Sequence, residues 1–246
     1  VFEGTENITF DGVKFEDTSW LTPNEIGYND AQSGTYAQHN GVWGDVPGAI
    51  ETHAAKNITI TNSELRNLGI GGIRIGNGSS DCAITNSAIH DISSSGIFIG
   101  NNTGHNHGYC DPGTDVTGVV VRNNYITRTG LDIFGSSAIC ALYTSDTVID
   151  HNEVCYTTYT GISLGWGWDW KNAPCSGNNT VSNNYIHDTG KTIHDGGSFY
   201  SLGLQEGTKV FGNYLHHHSD GLYDKDGGLY TDEGSTGMEL YNNVVG

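Results

Sequence analysis

The chain has 246 residues, enough for one large domain with a substantial core. Its 28 acids against 10 Lys and Arg leave a net charge of −18, so nucleic acid and anionic membranes are poor partners. The same charge argues against a polyanionic substrate unless a cation such as Ca²⁺ bridges it. No cofactor motif and no metal-type cysteine spacing is present, and no apolar run approaches the roughly 18 residues that would span a bilayer.

Taken in order, the chain is a series of similar units. "NITFDGVKF" from Asn7 is the first, and "NITITNSELRNLGIGGIRIG" from Asn57 and "CAITNSAIHDISSSGIFIG" from Cys82 repeat it at greater length. "GVVVRNNYITRTG" follows from Gly118, then "TVIDHNEVCYTTYTGISLG" from Thr147, "TVSNNYIHDTGKTIHDGGSFYSLG" from Thr180, "KVFGNYLHHHSDGLYDKDGGLYTDEG" from Lys209 and "MELYNNVVG" from Met238. Ser63, Ser87, Asn124, Asn152, Asn184, Asn213 and Asn243 mark equivalent positions, 24 to 37 residues apart. Each unit holds short β-branched runs of period two, broken by Gly and Asn and too short for helices. Constant strands with variable spacing predict an all-β, right-handed parallel β-helix, a single-chain solenoid of seven or eight coils stacked about 4.8 Å apart. Asn62, Asn86, Asn123, Asn183 and Asn242 are expected to form an asparagine ladder in one turn.

Two segments break the repeat and are predicted as loop insertions on one 1–246 domain: 20–50 and 101–115. The chain begins abruptly at Val1 and ends just past a strand, so it reads as a segment of a longer secreted, extracellular protein whose remainder caps the solenoid. Five sequons begin at Asn7, Asn57, Asn77, Asn101 and Asn178 and are candidate glycosylation sites. Five cysteines leave at least one thiol unpaired; stacking would pair Cys140 with Cys155 and Cys82 with Cys110.

Chemistry concentrates in the last three coils. Aligning the strands on Gly72, Gly96, Ala138, Gly161, Gly197 and Gly228 predicts that Arg74, Phe98, Cys140, Ser163, Phe199 and Tyr230 point outward in one stripe. Beside it lie Trp166, Trp168, Asp169 and Trp170 in "GWGWDW", aromatic faces next to a carboxylate, as a sugar ring requires. Asp195 and Asp226 precede matching glycine pairs 31 residues apart, and Asp232 and Glu233 follow the last of these strands. Two carboxylates on adjacent coils suit glycoside hydrolysis, in which one acid protonates the leaving oxygen and the other attacks or activates water. Register favours Asp195 with Asp226. In "HHH", His216 and His218 should share a face of a strand, with no metal site formed; His187 and His194 are candidates to orient a catalytic acid.

"YTGISLGWGWDW", "IHDGGSFYSLG" and "GGLYTDEGSTG", one coil apart each, resemble the β-helix glycoside hydrolases of family 141. The resemblance implies a secreted hydrolase of cell-wall or algal glycans, fucosidase- or xylanase-like, whose catalytic pair maps onto Asp195 and Asp232. A polysaccharide or oligosaccharide is the expected partner, with Phe199 and Tyr230 helping to bind it. The competing readings are a polysaccharide lyase or uronate epimerase, and a non-catalytic structural or adhesive module. "YCDPGTD" has Gly113 where the epimerase element carries His.

Overall fold

The computed structural model describes residues 1–26, 29–30, 32–37, 43–100, 113–168, 171, 175–219 and 227–246. Three parallel sheets of eight strands each run the length of the molecule, and every coil contributes one strand to each in turn. The first sheet comprises Phe2–Glu3, Gly48–His53, Gly71–Ile75, Ile97–Ile99, Ile139–Ala141, Ile162–Leu164, Gly197–Ser201 and Gly227–Thr231. The architecture is the right-handed parallel β-helix expected from the repeat. Among the described residues no helix is long and apolar enough to cross a membrane.

Inward positions stack coil on coil by residue type. Ile50, Ile73, Ile97, Ile139, Ile162, Phe199 and Leu229 align in the first sheet. Leu65, Ile89, Ile126, Val154, Ile186 and Leu215 do so in the third. Branched side chains fit this pleated surface, and each one fully buried contributes about 1.5–3 kcal/mol of transfer free energy.

In the turn between the second and third sheets the expected ladder forms in part, with Asn123 Nδ2 donating to Asn86 Oδ1 at 2.8 Å, and the continuous one lies one residue further on. Asn62, Asn86, Asn123, Asn183 and Asn242 sit at positive φ, between 50° and 55°, a conformation that Asn tolerates better than branched residues. They are exposed. The continuous buried ladder lies at the next position: the Asn124 backbone N–H and Nδ2 both donate to Asn152 Oδ1, at 3.1 and 3.0 Å, and the pattern repeats through Asn184, Asn213 and Asn243. One residue of each pair turns the chain, and the next satisfies backbone groups that the turn leaves unpaired.

The 20–50 insertion carries structure of its own, with a short helix at Thr22–Ile26 and a three-stranded antiparallel sheet. It lies over the outer face of the first sheet, where Ser33, Gly34 and Thr35 are buried. Asp45 of the same insertion pairs at 2.5 Å with the nearly buried Arg74. Most of the 101–115 insertion falls outside the described residues.

Candidate active site

The outward column of the first sheet runs Glu51, Arg74, Phe98, Cys140, Ser163, Tyr200 and Tyr230. Its earlier members are covered. Ser33 of the insertion contacts Ser163 (Oγ to Oγ, 3.4 Å), and its carbonyl accepts from the Cys140 thiol at 3.4 Å. Over the last two coils of the column a cleft of about 620 Å³ forms. Asp195, Asp232, Glu233, His194, Trp168 and Tyr230 line it, with Tyr159, Tyr200 and Gln32 among the groups at its base.

Glycines shape both acidic ends. A Cβ on Gly196 would fall 2.7 Å from the Tyr159 ring, and one on Gly197 would fall 2.4 Å from the Phe199 carbonyl oxygen. The chain can therefore lie against its neighbours there only without side chains, and Asp195 enters the strand at φ 65°. At the other end the Asp232 N–H donates to the Ser201 carbonyl at 3.0 Å, and a turn closes with Ser235 N–H on the Asp232 carbonyl at 3.0 Å. Gly234, at φ 77°, packs that turn against the Trp168 backbone.

A chain of hydrogen bonds joins the two acids. Gln32 Nε2 donates to the Tyr159 hydroxyl at 2.9 Å and to the Tyr200 hydroxyl at 3.0 Å. Tyr159 in turn donates to the Asp195 carbonyl at 2.9 Å, and Tyr200 donates to Asp232 Oδ2 at 2.5 Å. The Tyr230 hydroxyl donates to Asp195 Oδ1 at 3.4 Å. Burial raises the Tyr230 phenol above its ordinary range, and the charges of Asp232 and Asp195, both within hydrogen-bonding influence, raise it further. Burial also pushes Tyr159 up to about 12 and Tyr200 higher still, the latter reinforced by its bond to Asp232. These phenols therefore stay protonated and act as donors.

Several expectations shift. Gly197 pairs with Gly227 rather than Gly228, and this one-residue slip exchanges faces. Phe199 points into the core and Tyr200 takes the outward place. Ser163 points outward as expected but is covered by Ser33 of the insertion. Trp166 is buried in a cluster with Leu142, Tyr143, Tyr200 and Leu202, so it supports the cleft from beneath. Trp168 packs edge-on against it at 5.4 Å and reaches the cleft. His187 lies in a strand of the third sheet, outside the cleft lining, and cannot orient these acids. The strand of the histidine run ends at His216 and His217 adopts φ 51°, so simple alternation through His218 fails. Cys82, Cys140 and Cys155 are free thiols, which overturns both expected pairings; Cys175 is disulfide-bonded. Asp169, Trp170, Asp226, Asn101 and Cys110 lie outside the described residues. The remaining sequon residues, Asn7, Asn57, Asn77 and Asn178, are exposed.

The family model described as "Right handed beta helix region" matches residues 48–245. The chain belongs to that family. A solved glycoside hydrolase superposes with a TM-score of 0.84 at 27% identity, over 98% of this chain and 47% of its own. A XylC structure in complex with xylose gives 0.57 at 14%, over 97% and 42%. The A-module of the mannuronan C-5 epimerase AlgE4 of Azotobacter vinelandii gives 0.51 at 14%, over 98% and 60%. The last two likenesses concern the fold alone. The chain spans about half the length of the solved structures it matches, and no curated protein matches it.

Proposed function

We propose that this β-helix is a secreted glycoside hydrolase acting on neutral cell-wall or algal glycans, with Asp195 and Asp232 as its working carboxyls. The observation that carries the reading is that both acids act on one phenol, Tyr230, inside an aromatic cleft. Tyr200 donates to Asp232 Oδ2 at 2.5 Å and fixes that carboxyl at the end of its strand. Asp232, held in this way, takes the role of the carboxylate that attacks the anomeric carbon or activates water. Asp195, exposed at the cleft mouth beside His194, is the acid that protonates the leaving oxygen. Trp168 and Tyr230 offer faces to a sugar ring, and Glu233 stands at the rim to accept from its hydroxyls. The 27%-identical glycoside hydrolase supports the reaction class.

A lyase or epimerase suits the cleft less well. Three carboxylates line it and would repel a uronate, and its buried tyrosines are held protonated, which makes them poor bases.

The test is release of reducing ends from neutral glycans by the wild type and by Asp195→Asn and Asp232→Asn. Each substitution should lower turnover by about 10³-fold or more while leaving the circular dichroism spectrum unchanged. An unsaturated, ultraviolet-absorbing product would instead identify a lyase. Glycan binding without turnover, equal in wild type and both variants, would identify a binding module.

A further inference from the structure

On the outer face of the third sheet, well apart from the cleft lining, three metal-ligating side chains converge. Glu153 and Cys155 stand two residues apart in strand Glu153–Thr157, so they share a face. Cys155 pairs in register with His187 on the next coil. The result is a triangle in which a carboxylate oxygen, the Cys155 sulfur and a His187 ring nitrogen all lie within 4.8 Å of one another.

The surroundings prepare this triangle for a cation. His187 Nδ1 is held at 2.9 Å by Asp188 Oδ2, which directs Nε2 toward Glu153 Oε1 at 3.4 Å. A carboxylate behind one imidazole nitrogen is the arrangement that fixes a metal-binding histidine in orientation and tautomer. The Tyr185 ring lies on His187 at 4.4 Å, and the Tyr125 hydroxyl stands 3.8 Å from the Cys155 sulfur. Cys155 itself is 1% exposed. Bonds of about 2.0–2.3 Å in a tetrahedron put ligand atoms about 3.3–3.8 Å apart, so the carboxylate–imidazole edge already fits. The two edges to the Cys155 sulfur are each within 4.8 Å, and the remaining approach of at most about 1–1.5 Å falls to rotation of the thiol and the Glu153 carboxylate.

We propose that Glu153, Cys155 and His187 bind a zinc-like divalent cation that clips two adjacent coils together. One imidazole, one thiolate and one carboxylate match the preferences of such an ion, with water completing the shell. On binding, the Cys155 thiol releases its proton to solvent and the sulfur–metal bond forms without any redox change. The site is independent of the hydrolase reading, because no cleft residue takes part.

Zinc chloride titrated into untagged protein against a chromophoric chelator should show one ion per chain. Cobalt chloride should produce a thiolate-to-metal charge-transfer band. Cys155→Ser should abolish that band and weaken zinc binding by 100-fold or more. Asp188→Asn should weaken it about 10- to 100-fold through the histidine. Glu153→Gln, at a half-exposed position that cannot unfold the chain, should also weaken it. His217→Gln, which interrupts the histidine run at an exposed position and leaves His216 stacked on His187 at 5.2 Å, should bind like wild type. Absence of stoichiometric binding, or binding that survives Cys155→Ser, would overturn the proposal. So would binding that is lost only when the histidine run is changed.

Discussion

Replacing Tyr200 by Phe removes one oxygen from the middle of the cleft network and leaves the ring in place. The ring is 1% exposed and meets Tyr230 edge-on at 5.3 Å, contacts that Phe retains. Gln32 keeps its bond to Tyr159 at 2.9 Å, while its other Nε2 hydrogen loses the Tyr200 oxygen it meets at 3.0 Å, so the stability cost should be about 1–2 kcal/mol. The larger effect falls on Asp232, which loses its 2.5 Å donor. A hydrogen bond to a charged group is worth about 1.5–3 kcal/mol, and about 1.36 kcal/mol is tenfold in rate. With the carboxylate no longer held in its reacting position, kcat on a neutral glycan should fall by about 10- to 100-fold while KM changes little. An unchanged kcat in a folded Tyr200→Phe variant would refute the role assigned to Tyr200.

Two predictions concern the solenoid. Asn152→Ala removes an amide that donates to Val121 O and Asn184 Oδ1, both at 3.0 Å, and accepts twice from Asn124. Stranding these buried groups should cost roughly 3–5 kcal/mol in urea unfolding, whereas a loss below 1 kcal/mol would show that the ladder is not a stabilising element. Asp150 is the second: burial alone would raise its pKa, but hydrogen bonds from Ser182, His151 and Asn183 outweigh it and bring it down to about 2. A depressed folded-state pKa means stability that is full above the unfolded value near 4 and lost as pH falls toward 2. The loss should be about 2 kcal/mol across that window, and Asp150→Asn should flatten this part of the acid-unfolding curve. An equally steep curve in the variant would assign the acid sensitivity to other carboxylates.

The fold was legible because the solenoid repeats its requirements. A residue at positive φ followed by a buried polar side chain recurs from coil to coil, so these pairs and the Ile and Val positions expose the period even where the loops differ in length. What the pattern leaves open is which member faces inward where both are Asn, at Asn123 and Asn124, Asn183 and Asn184, and Asn242 and Asn243. The other coils resolve it: Asn62, Asn86, His151 and Gly212 stand at positive φ, and the Ser63, Ser87, Asn152 and Asn213 that follow them are the buried members.

The site was legible at its ends and not in its middle. Asp195 and Asp232 are set by Gly196, Gly197 and Gly234, which allow close approaches that no side chain would permit, and such glycines stand out in a sequence. Register alone pointed from Asp195 to Asp226; only the resemblance led to Asp232. Tyr200 follows Phe199 in an uninterrupted buried strand, where nothing but the pairing of Gly197 with Gly227 decides which aromatic faces the core. Gln32 lies 127 and 168 residues from the two tyrosines it joins, a contact set by how an insertion folds across the sheet and not by any repeat. The groups missed are thus the ones that hold the acids rather than the acids themselves. In a solenoid the coil fixes where a side chain emerges, but its charge state depends on hydroxyls and amides supplied by whatever packs across the coil. A search for sites in such chains therefore gains most from asking which insertion covers the column of outward residues and where that cover stops. Here Gln32 of the insertion still reaches Tyr200, which is 1% exposed, and beyond it Tyr230 is part-open; these two phenols are the ones that contact the acids.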